Sequence, residues 1–186
     1  ESLPTGLQTG SWTARKPQYV QNLAPCNAWC PAGNDVVGFI QAVAEPNGEA
    51  QAAAILGNST PFAAVCGRVC PAPCMEGCNR REYDGALNIR GLERWIADKA
   101  PVAVKAAAVA ARSDAKRFAI VGGGPAGLSA AYSLAKSGHK AVVFEGEAKL
   151  GGVLVTGIPE YRLPRVELNR EIDAILALGV EAHCGV

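Results

Sequence analysis

Cysteine and glycine divide this chain between them. Cys26, Cys30, Cys66, Cys70, Cys74 and Cys78 all lie before residue 80 and only Cys184 lies beyond, whereas the motif-bearing glycines cluster after residue 115. A length of 186 residues suits one ordinary domain or two small ones. The partition predicts two modules, 25–111 and 112–186, behind an arm over 1–24. An alanine-rich connector, Pro101 to Lys116, joins them and puts the boundary near 112. In the arm, Gly10 to Pro17 carries Trp12 among polar residues, so it either docks on another subunit or packs on its own module.

Cys66, Cys70, Cys74 and Cys78 are spaced four apart and on a helix would line one face, but Pro71 and Pro73 interrupt any helix there. The spacing predicts a wrapped loop that presents several thiolates to one inorganic centre. Cys30-Pro31 and Cys70-Pro71 resemble the cysteine-proline ends of ferredoxin-type ligand runs. Disulfides are disfavoured by cysteine density and by the absence of a visible secretory signal, which also points to the cytoplasm. Zinc would favour paired CxxC knuckles with histidine, and His139 and His183 both lie in the other module. An iron–sulfur centre is the favoured reading, with zinc and structural thiols as alternatives.

Around the cysteines the apolar pattern is helical. Asn34 and Asp35 can cap a helix bearing Val36, Phe39, Ile40 and Val43; Glu49 to Leu56 forms a second, ended by Gly57 and Asn58. From Asn88 to Ala100, Ile89, Leu92 and Ile96 mark a third. Glu93 lies on that apolar stripe, and a carboxylate facing a core needs a partner: Arg90, or an iron atom. The first module reads as all-α.

The second module reads as α/β. Apolar runs Phe118–Val121, Ala141–Phe144 and Val180–His183 alternate with helical segments Pro125–Ser137 and Arg165–Leu178, which predicts a parallel sheet covered on both faces and incomplete at its C-terminal end. Gly122, Gly124 and Gly127 form GxGxxG between the first strand and helix, the arrangement that lets backbone approach a pyrophosphate at a helix N-terminus. Glu145 ends the second strand, where it can accept from ribose hydroxyls and repel a 2'-phosphate. Gly151 and Gly152 form a second glycine loop suited to a longer ligand, favouring FAD over NAD. Arg162 is either a cation beside that cofactor or a surface arginine capping a loop.

Composition excludes other classes. Eighteen basic against 17 acidic side chains create no field for nucleic acid or anionic membrane. The longest Ala/Val run, Val102 to Ala111, contains Lys105 and is too short to span a bilayer. The sequence opens at Glu1 with Met75 its only methionine and stops at Val186 directly after a strand-like run, so the natural polypeptide is expected to be trimmed at its start and to continue beyond.

Five segments carry a resemblance: PCNAWCPAG (25–33), CGRVCPAPCMEGCNR (66–80), GALNIRGLERW (85–95), VGGGPAGLSAAYSLAKSGHKAVVFE (121–145) and LGGVLVTGIPEYRLPR (150–165). Over nearly its whole length the chain resembles the N-terminal part of the small (beta) subunit of glutamate synthase and its relatives. Those include the matching region of dihydropyrimidine dehydrogenase and the large subunit of the electron-bifurcating ferredoxin:NADP oxidoreductase. The resemblance implies an electron-transfer flavoprotein subunit that relays electrons between NAD(P)H, FAD and a [4Fe-4S] cluster and a partner redox subunit or ferredoxin-like protein in a hetero-oligomer. NAD(P) would bind a later Rossmann domain. It further implies FAD contacts at Gly122, Gly124, Pro125, Ala126, Glu145, Gly152, Val153 and Arg162, with Val69 touching the flavin. Inner-cluster ligands would be Cys30, Cys70, Cys74 and Glu93. An outer cluster would need Cys26, Cys78 and two earlier cysteines, but Gln18 and Gln21 occupy those places, and Cys66 is not a ligand in the family. One complete [4Fe-4S] cluster is therefore expected, with Cys26 and Cys78 left as thiols or holding something incomplete. The rival readings are a zinc-stabilised helical domain joined to a nucleotide-binding module without a redox role, and a cluster-less FAD-binding subunit.

Overall fold

The structure, a computed structural model, describes residues 23–100 and 113–186. The arm with Trp12, Gln18 and Gln21, and the connector as far as the boundary near 112, lie outside those residues.

The first module is all-α: α1 (Pro25–Ala28), α2 (Val36–Ala44), α3 (Glu49–Ser59), α4 (Ala63–Val69), α5 (Pro73–Glu76) and α6 (Ile89–Lys99), with a 3-10 turn over Asn79–Glu82. Two helices of this module carry side-chain caps, the first of them expected from sequence. The Asp35 carboxylate accepts from the Gly38 amide at 3.0 Å, and the Asn88 side chain accepts from the Gly91 amide at 3.1 Å. Val36, Phe39, Leu56, Ile89 and Ile96 close into one core. Two expectations change. Helix α3 does not stop at Leu56 but runs through Gly57 and Asn58 to Ser59, because the chain turns extended only at Thr60, just before Pro61. The cysteine segment is not all loop: Cys66 sits within α4 and Cys74 within the single turn of α5. The break is confined to Cys70-Pro71-Ala72, where Ala72 takes φ 61°, a left-handed conformation that costs about 1–2 kcal/mol in a residue with a Cβ.

The second module is a parallel sheet in the order β1-β2-β3, formed by β1 (Arg117–Val121), β2 (Lys140–Glu145) and β3 (Glu181–Cys184). Helix α7 (Pro125–Lys136) joins β1 to β2; α8 (Val153–Thr156) and α9 (Arg165–Leu176) lie between β2 and β3. Both crossovers step the same way along the sheet, so right-handed connections put α7 and α9 on one face. Ile120, Val143 and Ala182, in register across the strands, pack toward those helices. The other face, expected to be covered, is open among the described residues. Val121 is 91% exposed, Phe144 stacks on His183 at 5.4 Å, and Arg117 pairs with Glu181 at 2.8 Å across the sheet.

The modules share a core. Phe62 and Val65, from α4 and its entry, are buried with Leu128, Tyr132, Leu168 and Ile172 of the second module, and Val69 packs against the same cluster. Helix α4 thus lies between α6 on one side and α9 on the other.

Candidate functional site

The glycine turn is built from backbone. Gly122 leaves β1 with φ 96°, and its amide donates to the Phe144 carbonyl at 2.8 Å, continuing the sheet pairing into the turn. Each glycine of the motif meets a different environment. A Cβ on Gly127 would stand 1.9 Å from the Gly122 carbonyl oxygen, so only glycine lets α7 seat against the turn. A Cβ on Gly122 would meet nothing within 4 Å, and one on Gly124 only the Cα of Gly152 at 3.9 Å. These two line open space in front of the helix. Gly124 is the N-cap of α7 and supplies no side-chain acceptor, Pro125 opens the helix, and Ala126 is exposed in its first turn. Backbone donors of that turn therefore face open space, an arrangement that suits an anionic group.

Glu145 closes the turn from beneath. Its carboxylate accepts from the Gly123 amide at 2.5 Å and the Glu147 amide at 2.9 Å. Those bonds, Glu147's first, hold its pKa below the ordinary glutamate value, so the side chain stays anionic. The second glycine loop lies against the first: the Gly151 amide donates to the Gly123 carbonyl at 2.8 Å, and Gly152, at φ 50° and ψ −128°, caps α8. Val153, just beyond, is 59% exposed beside this cradle. Arg162 is exposed. The arginine that organises the loop is Arg165, whose role sequence reading missed. Its guanidinium donates to the carbonyls of Leu154, Leu163, Val155 and Ile158 at 2.8, 3.2, 2.8 and 2.6 Å.

The cysteine site draws on separate elements. Cys30 follows α1, Cys70 caps the C-terminal end of α4, Cys74 is buried in α5, and Glu93 is buried in α6. Burial pushes the Cys74 thiol up to about 11, and the neighbouring charges of Cys30, Cys70 and Glu93 all push the same way. The four groups therefore share one electrostatic neighbourhood. The left-handed turn at Ala72 aims its amide at the Cys70 sulfur, 3.3 Å away, and the Met75 amide lowers the Cys74 thiol by donating to it. Amides pointed at sulfur stabilise thiolate and are among the levers on a cluster's potential. Among the described residues no three His, Cys, Asp or Glu side chains gather about a point as around a single metal ion. With three thiols, one carboxylate and N–H groups directed at two of the sulfurs, the donor set fits a sulfur-ligated cluster.

Of the side chains weighed from sequence as a partner for Glu93, Arg90 does not meet it. Arg90 turns instead to the Cys70 carbonyl, donating at 2.8 Å. The Glu93 carboxylate accepts from the Asn34 side-chain amide at 3.3 Å, and Asn34 in turn accepts from the Ser59 hydroxyl at 2.8 Å. Ser59 thereby fixes which end of the Asn34 amide faces Glu93. Burial still pushes Glu93 up to about 7, with Asn34 lowering it only in part. Cys66 is pushed up to about 12, chiefly by burial, so its thiol stays protonated. Cys26 and Cys78 are half-buried; Cys26 lies on α1, which packs against α5. Sequence reading also missed Gly67, where a Cβ would stand 2.6 Å from the Cα of Arg94: only glycine lets α4 cross α6 beside Glu93.

Comparison with known proteins agrees with this division. Residues 19–104 match the family described as dihydropyrimidine dehydrogenase domain II, 4Fe-4S cluster, and residues 120–175 match the NAD(P)-binding Rossmann-like domain. The chain is 44% identical over 179 residues to the NADP(+)-dependent formate dehydrogenase subunit beta of Moorella thermoacetica, covering 84% of this chain and 25% of that protein. It is 38% identical to the NADPH-Fe(3+) oxidoreductase subunit beta of Geobacter sulfurreducens, covering 90% and 26% respectively. With the NAD-dependent dihydropyrimidine dehydrogenase subunit PreT of Escherichia coli it shares 36% identity, covering 87% and 39%. The chain thus spans between about a quarter and two fifths of the length of these relatives. Taken with the two modules, these matches show a helical module similar to the 4Fe-4S domain II of dihydropyrimidine dehydrogenase followed by a module similar to NAD(P)-binding Rossmann-like domains.

Proposed function

We propose that this chain is the flavin-and-cluster portion of an NAD(P)H-dependent electron-transfer subunit. In this reading the dinucleotide at the glycine turn is FAD, and one [4Fe-4S] cluster is held by Cys30, Cys70, Cys74 and Glu93. The supporting observation is the place of α4. Val69 packs against the nucleotide module's core, and the next residue, Cys70, belongs to the cysteine site. One turn of backbone therefore serves both cofactors.

FAD supplies the conversion between hydride and single-electron chemistry, and the cluster supplies a one-electron store. The residues of the chain do the rest. Gly122 and Gly124 leave room for the pyrophosphate, and the first turn of α7 donates to it. Glu145, kept anionic, orients ribose hydroxyls and rejects a 2'-phosphate. Gly152 and Val153 border the cradle, and Arg162 stands free at the loop surface to meet the cofactor. Ala72 and Met75 direct amides at the cluster thiolates, while Asn34 occupies one oxygen of Glu93 and leaves the other for iron. With Gln18 and Gln21 standing where the resemblance implies two further cysteines, Cys26 and Cys78 are left short of the ligands for a second cube in this reading. The nicotinamide site lies in a separate Rossmann domain of the full-length protein.

Electrons then pass to or from a partner redox subunit or ferredoxin-like protein. The relatives named as beta subunits support such an assembly. Among the described residues no helix is long and apolar enough to cross a membrane. The cytoplasm, which keeps thiols reduced, is the compartment we assign. Flavin extraction with iron and acid-labile sulfide analysis, followed by low-temperature EPR after dithionite reduction, tests the proposal. One FAD, four irons and a reduced-cluster signal are expected per chain. Colourless protein containing zinc, or FAD without any EPR signal, would overturn it.

A further inference from the structure

Three ties between the modules end on helix termini of the first and side chains of the second. The Gly57 carbonyl, in the last turn of α3, accepts from the Tyr132 hydroxyl and from Lys136 Nζ at 2.7 Å. The Ala97 carbonyl, near the end of α6, accepts from the Arg170 guanidinium at 3.0 Å. At the start of α4 the arrangement reverses. The amides of Ala64 and Val65 donate to the two carboxylate oxygens of Glu171, at 2.6 and 3.2 Å, across 107 and 106 residues of sequence. Donors meet carbonyl ends and the one acceptor meets an amide end, as unpaired backbone groups at helix termini require.

Glu171 differs from the other two because of what α4 carries. Phe62, the N-cap of α4, provides no side-chain acceptor, so Glu171 holds those amides from outside the helix. At Gly67 the backbone of α4 presses on that of α6 at Arg94. A short helix touching a neighbour at its middle and tethered at one end has its other end set by the tether. That other end is Val69 and Cys70. We propose, resting on the electron-transfer reading above, that Glu171 is a positioning residue for the relay: through two amides it sets where α4 places Val69 and Cys70 relative to the dinucleotide turn. Glu171 is itself buried on α9 beside Leu168 and Ile172, within the core that packs against α7. The tether thus runs from the nucleotide module directly to the cluster ligand's helix.

The test uses the full-length protein with its cofactors and compares Glu171→Leu and Glu171→Gln with wild type. Two readouts are taken: amide hydrogen exchange along α4, and the rate of electron transfer from reduced flavin to cluster after rapid mixing. Leucine suits the apolar surroundings but accepts nothing. It is expected to speed exchange of the α4 amides at least about tenfold and to slow transfer by at least about tenfold, with FAD, iron and both midpoint potentials unchanged. Glutamine keeps one acceptor and is expected to restore transfer to within about threefold of wild type.

A Glu171→Leu protein that loads both cofactors and transfers at the wild-type rate overturns the proposal. If that variant does not load, amide exchange in the Glu171→Gln protein decides: wild-type exchange at both Ala64 and Val65 overturns the proposal, and faster exchange at one of these two amides, with transfer slowed by no more than about threefold, supports it. Should wild type itself hold no flavin or no iron, the electron-transfer reading fails. The exchange readout then judges the tether alone, and α4 amides unmoved by Glu171→Leu count against it.

Discussion

The glycine turn and the cysteine site solve opposite problems. The first is made of backbone and lies within residues 122–152; what matters there is where a side chain is missing. The second, in the reading proposed above, would draw on side chains at residues 30, 70, 74 and 93, on four separate segments; what matters there is which donors are present. Their carboxylates differ in the same sense. Glu145 lies at the surface and amides keep it anionic, whereas Glu93 is buried and pushed up to about 7. A buried carboxylate of that kind is stabilised as an anion by a nearby cation, and iron would be one. The proposed nucleotide cradle rests on space and backbone donors; the proposed cluster site rests on side chains.

Substitutions can break this contrast, and the largest effect is expected at the cysteines. Cys70→Ala should abolish the cluster, seen as loss of iron and of the EPR signal, while FAD content stays near wild type; simultaneous loss of FAD would show that the two sites are not separable in this way. Gly127→Ala should do the reverse. Its methyl would meet the Gly122 carbonyl, so FAD is lost with iron retained and stability falls by about 1–3 kcal/mol in denaturant unfolding.

Two further predictions sharpen the contrast. Arg165→Ala releases four carbonyls of the 154–163 loop and should cost roughly 2–3 kcal/mol, with weaker FAD binding. Burial raises Glu171 from 4.5 to about 7, against the opposing pull of the Ala64 and Val65 amides and of Arg170 and Arg68. The folded protein therefore holds a proton there that the unfolded chain has already lost. Its contribution is fully present below about pH 4.5 and is lost as the pH rises through about 7, a fall of about 3 kcal/mol that Glu171→Gln should remove from a stability–pH profile. The smallest effect is expected at Arg162, whose exposed side chain should cost less than about 0.5 kcal/mol of stability when changed to alanine; calorimetric titration with FAD would show whether its charge serves the cofactor.

The fold was largely legible because its signals are local. Helix α2 begins at Asp35 and α6 at Asn88, where a capping side chain precedes an apolar repeat, and the strands carry short apolar runs. The errors are also local in kind. Gly57 and Asn58 resemble a helix stop, yet α3 continues because Thr60 and Pro61 set the exit and the Gly57 carbonyl is taken up by Tyr132 and Lys136. The prolines at 71 and 73 suggested loop throughout, but proline is tolerated in a first helical turn, which leaves room for α5.

What sequence alone determined about this protein is the set of groups with a fixed spacing: the GxGxxG turn with Glu145 after it, and cysteines in numbers and intervals that suit a cluster. Those follow from chain geometry over a few residues. Tertiary structure alone decided which groups meet across long separations. It paired Glu93 with Asn34 rather than Arg90 and set Glu171 on the amides of α4. Such choices depend on the angle at which α4 crosses α6 and α9. That angle is settled by close packing at Gly67, Phe62 and Val65, and no spacing along the chain records it.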